Sequence, residues 1–81
     1  MIEAPYPQEH YIKLNGVSDF LVGRVVIFDQ GFSYNVEIDI VQNESGKIHN
    51  HVKSLYNESD PREVLDLAVQ YLKDFLDSKK Q

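Results

Sequence analysis

The sequence predicts an α+β fold, a three-stranded antiparallel β-meander packed on one face by a C-terminal α-helix, in the order β-β-β-α. Three observations predict it. Residues 32 to 42 alternate apolar and polar side chains almost without fault, as a half-buried strand does. Residues 60 to 78 repeat apolar side chains at helical spacing behind a capping signal. Turn-forming Asn-Gly, Asp-Gln-Gly and Asn-Glu-Ser-Gly clusters separate the remaining apolar runs.

The first segment, residues 1 to 9, holds two of the three prolines and reads as an extended arm with Tyr6 as its anchor. His10-Tyr11-Ile12-Lys13-Leu14 is a candidate short edge strand ended by Asn15-Gly16. Residues 20 to 28 are rich in β-branched and aromatic side chains and form the first main strand. Asp29-Gln30-Gly31 then fits a three-residue hairpin loop, which pairs Phe28 with Phe32. In residues 32 to 42 the alternation puts Phe32, Tyr34, Val36, Ile38 and Ile40 on one face. Residues 47 to 56 return with Ile48, Val52 and Tyr56 on one parity and Lys47, His49, His51 and Lys53 on the other. On this register the even-numbered side chains of all three strands line one core. Asp60, Pro61 and Glu63 offer an N-cap, a first helical proline and a capping box for the helix over 60 to 78. Its apolar residues, from Val64 to Leu76, sweep an arc of roughly 200°, wide for a helix that touches one sheet.

A chain of 81 residues has material for one domain and one core. Hydrophobic residues at 42% and charged residues at 26% sit near globular averages, which argues against disorder. With no cysteine, disulfide scaffolds and thiolate metal sites are excluded. A net charge of -5 repels phosphate backbones, so direct nucleic-acid binding is not expected. The N-terminus has no basic and apolar leader pattern, and no run approaches the ~18 apolar residues of a membrane span. A cytoplasmic setting is expected.

Four groups of residues carry candidate function. Leu21, Val25 and Ile27 fall on the face away from the expected core, an apolar stripe that the arm with Tyr6 and Tyr11, a second copy or another protein must cover. Arg24 shares parity with the core face, where its guanidinium reaches the helix end or binds an anionic group of a partner. If strands pair with residue numbers summing to about 90, Glu37 faces Lys53 and Asp39 faces His51 with His49 beside it. His49, His51 and Asp39 are then weak candidates for a divalent ion. Finally, Asp60, Glu63, Asp66, Asp74 and Asp77 line the outer helix surface.

No nucleophile elbow, phosphate-binding glycine loop or zincin motif occurs, and no cofactor is expected. The function expected is therefore a small acidic, non-enzymatic protein-interaction module of the bacterial or phage accessory kind, binding a protein partner or forming a homodimer. The alternatives are a metal- or ligand-binding protein using the His49, His51 and Asp39 face, and an acidic mimic of nucleic acid.

Overall fold

The computed structural model describes residues 6–79, and of Lys79 only the backbone. It contains β1 (Gln8–Lys13), β2 (Leu21–Asp29), β3 (Tyr34–Gln42), β4 (Ile48–Glu58) and α1 (Pro61–Lys79). The strands form one sheet in the order β1-β2-β3-β4, each neighbour antiparallel, with α1 across one face. The fold is thus α+β with four strands where three were expected. The candidate edge strand is a full strand and starts two residues earlier, at Gln8. Of the expected arm, residues 1 to 5 lie outside the described residues. Tyr6 packs against the core and lies 5.6 Å, centroid to centroid, from the Tyr34 ring.

The turn between β2 and β3 overturns the expected register. It holds four residues, Gln30 to Ser33, and closes on the pair Asp29 and Tyr34. Asp29 accepts a hydrogen bond from the Gly31 N–H at 2.8 Å, Gln30 N–H donates to the Ser33 carbonyl at 2.9 Å, and Gly31 takes φ +96°. Phe32, expected opposite Phe28, stands fully exposed at the tip. The pairing sum thereby becomes odd, so Val25 lies opposite Ile38 and Ile27 opposite Val36. A one-residue change of register moves every side chain of a strand to the other face.

Leu21, Val25 and Ile27 therefore face the helix, not solvent. Val25 and Ile27 are 0% and 1% exposed, and Leu21 packs beside them. Arg24 moves to the opposite face with Val22, Val26 and Phe28. Gly23, on the helix side of β2, explains why this parity is accepted. A Cβ there would come within 2.7 Å of Leu72 Cδ1, so the glycine lets α1 approach β2 closely.

The core is Val25, Ile27, Val36, Ile38 and Ile40 from the sheet against Val64, Ala68 and Leu72 from α1. Leu65, Tyr71, Phe75 and Leu76 flank it, while Leu67 and Val69 stay exposed. The buried arc is narrower than the apolar arc of the sequence. Asp60 caps α1 by accepting from the Arg62 N–H at 2.9 Å, and that bond holds its carboxyl below the usual range. No helix among the described residues is long and apolar enough to cross a membrane.

β4 departs most from a regular strand. Its pairing with β3 shifts register between Tyr34 and Val36, between Ile38 and Asp39, and between Ile40 and Val41. These bulges turn Ile48 and Tyr56, both expected in the core, out to solvent. Val52 and Leu55 reach the core instead.

Candidate functional site

The face of the sheet opposite α1 is built from three cross-strand rows. The first runs Lys13, Val22, Val41 and Ile48, the second Tyr11, Arg24, Asp39 and His51, and the third Glu9, Val26, Glu37 and Ser54. Each row takes one residue from each strand, because antiparallel neighbours directly opposite point to the same side.

The middle row is a chain of polar contacts from β2 to β4. Arg24 Nη2 lies 3.8 Å from Asp39 Oδ2, and His51 Nδ1 lies 2.7 Å from Asp39 Oδ1. Asp39 is the most enclosed member, its side chain 6% exposed against 23% for Arg24 and 52% for His51. A carboxylate so placed needs partners on both sides, and it has a cation on one and an imidazole on the other. Ser54 Oγ sits 3.1 Å from His51 Nε2 and donates to Glu37 Oε2 at 2.6 Å, which links the middle row to the third. At the other end, the Tyr11 hydroxyl donates to Glu9 at 2.7 Å, and that bond holds the phenol above its usual pKa. Arg24 Nε is buried without a hydrogen-bond partner among the described residues.

The sequence of Ser54, His51 and Asp39 resembles the order of groups in a hydrolytic triad, but the proton does not run the required way. The single hydroxyl proton of Ser54 lies toward Glu37, so it is not directed at His51 Nε2 as a nucleophile's would be. Two clefts formed by the described residues both lie away from Asp39, His51 and Ser54. One is lined by Tyr11, Leu14, Asp19, Leu21, Val22 and Asn43 among others, the second by Ile12, Leu14, Val69, Leu72, Lys73 and Leu76.

The expected pairing of Asp39 with His51 is present, and that of Glu37 with Lys53 is not. Glu37 faces Ser54, and Lys53 lies opposite Ile38 on the helix side with Nζ 5.7 Å from the Tyr71 ring centroid. The bulge between Ile38 and Asp39, which leaves Val52 as the extra residue, causes the exchange. His49 is the extra residue of the next bulge, between Ile48 and Asn50, and stands exposed. Among the described residues, no three His, Asp or Glu side chains converge as metal ligands do. Tyr11 lies in the middle row and Tyr6 on the helix side, so the expected surface residues divide between the two faces. Ser54 was the participant without a sequence signal, since its place depends on a bulge.

Comparison with known proteins returns no match to a family model, to a curated protein or to a solved structure.

Proposed function

We propose that the chain is a non-enzymatic protein-interaction module that docks a protein partner on the uncovered face of its sheet. One observation carries this reading. β2 is apolar on both faces, as strands covered on both sides are, with Val25 and Ile27 toward α1 and Val22, Val26 and Phe28 away from it. α1 packs on the first set alone, while Val22, Val26 and Phe28 stay half-buried and Val41, opposite Val22, is buried. Phe20, Tyr11 and Ile48, each more than half exposed, add aromatic and aliphatic area to this side of the molecule or its margin.

The charges at the centre of the face are internally matched, Arg24 with Asp39 and Asp39 with His51, so the partner surface that fits is apolar with polar groups at its rim. Four strands of about nine residues present roughly 19 by 30 Å, near 570 Å². Doubled over two partners, that area is just above the ~1,000 Å² expected of a specific interface.

The test is a benzophenone amino acid placed at Val26, with the same probe at Asp66 on the outer helix surface as control. The expected result is one defined protein adduct from Val26 alone, whose binding to the purified chain is lost on Val26→Asp with the far-UV spectrum unchanged. Equal labelling from both positions, or none from Val26, overturns the proposal.

A further inference from the structure

The two edges of the sheet are built differently. β4 is interrupted by three register shifts and carries Asn57 at φ +60°. Bulges are one of the devices by which an edge strand is kept from pairing with another chain. β1 has no such interruption. Its six residues keep one register against β2 from Gln8 opposite Ile27 to Lys13 opposite Val22. Among the described residues no strand pairs its outer side.

We infer that β1 is a homodimerisation edge, pairing antiparallel with β1 of a second copy about a twofold axis at Tyr11. The charge pattern selects this partner and this register. Glu9 and Lys13 stand two residues either side of Tyr11, all three on the uncovered face. With Tyr11 opposite Tyr11 of the second copy, Glu9 of each chain faces Lys13 of the other. On the helix side His10 then faces Ile12, and Gln8 faces Leu14. Shifting the pairing by two residues in either direction keeps the faces but loses both ion pairs. Directly opposite charges favour a strand pair and like charges oppose it, so the strand is complementary to itself.

The surroundings of β1 agree. α1 packs chiefly over β2, β3 and β4, which leaves a cleft beside β1 lined by Ile12, Leu14, Val69, Leu72, Lys73 and Leu76. An added strand would wall this cleft with the side chains of Gln8 and His10 from the second copy, as strand addition at a sheet edge commonly does. The two sheets become one of eight strands with both helices on the same side. This inference stands apart from the partner taken by the uncovered face.

The experiment is solution mass by light scattering on the full chain at micromolar concentration, with charge reversals in β1. The wild type is expected to be a dimer. Glu9→Lys and Lys13→Glu each place like charges opposite one another twice and should weaken dimerisation at least about tenfold. The double variant Glu9→Lys with Lys13→Glu restores opposite pairs and the dimer. Because the chain has no cysteine, Tyr11→Cys supplies a single thiol on the twofold axis. Mild oxidation should link two copies through it, while Val26→Cys should not link. A monomeric wild type, or a dimer indifferent to the reversals and unlinked by Tyr11→Cys, overturns the inference. Neither result touches the Val26 adduct that tests the docking face.

Discussion

The middle rows of the two faces of the sheet are inverse in composition. On the helix side the middle row, His10, Val25, Ile38 and Lys53, is apolar at its centre and polar at its ends. On the uncovered side the middle row is reversed, with the charges of Arg24 and Asp39 at the centre of the sheet. The difference teaches what each face is for. Centred aliphatic side chains exclude water and supply most of the stability, while a matched ion pair costs desolvation and contributes mainly geometry.

The largest expected effect lies on the helix side. Ile38→Ala removes a fully buried side chain at the middle of the core and should cost about 2–5 kcal/mol, read by urea denaturation. On the uncovered side, Asp39→Ala strands Arg24 and His51 without their shared carboxylate and should cost about 1–3 kcal/mol. Replacing both members with apolar side chains, Arg24→Met with Asp39→Leu, should recover most of that loss. A double variant less stable than Asp39→Ala alone would break the comparison, because the row would then be a source of stability in its own right.

The smallest effect is a titration. The Tyr11 phenol is raised by its hydrogen bond to the Glu9 carboxylate, so the folded state holds the phenolic proton more tightly than the unfolded chain does. The corresponding stabilisation is fully present below the unfolded pKa near 10 and is lost as pH rises through the raised value. Ultraviolet difference titration of the wild type against Tyr11→Phe isolates this residue, and Glu9→Gln should move its midpoint down. No movement would remove Glu9 as the cause.

The candidate site was legible in part. The opposition of Asp39 and His51 followed from a pairing sum near 90, which survives in the middle of β4 because the bulges on either side alter it by only one residue. The partnership of Glu37 with Ser54 was not legible, since a bulge inserts one residue without any glycine or proline to announce it. Arg24 stood out as the lone charge among apolar neighbours, yet its face was assigned backwards with the rest of β2.

By itself the sequence determined a strand within residues 32 to 42 and a capped helix over residues 60 to 78, because periodicity and capping are local properties of the chain. The strand over 20 to 28 was legible on the same grounds, and the segment over 10 to 14 only as a candidate edge strand. Which face of β2 meets the helix was decided only in the tertiary structure. That strand is apolar on both faces, so its own pattern does not choose, and the choice fell to a four-residue turn and to the space that Gly23 leaves for Leu72.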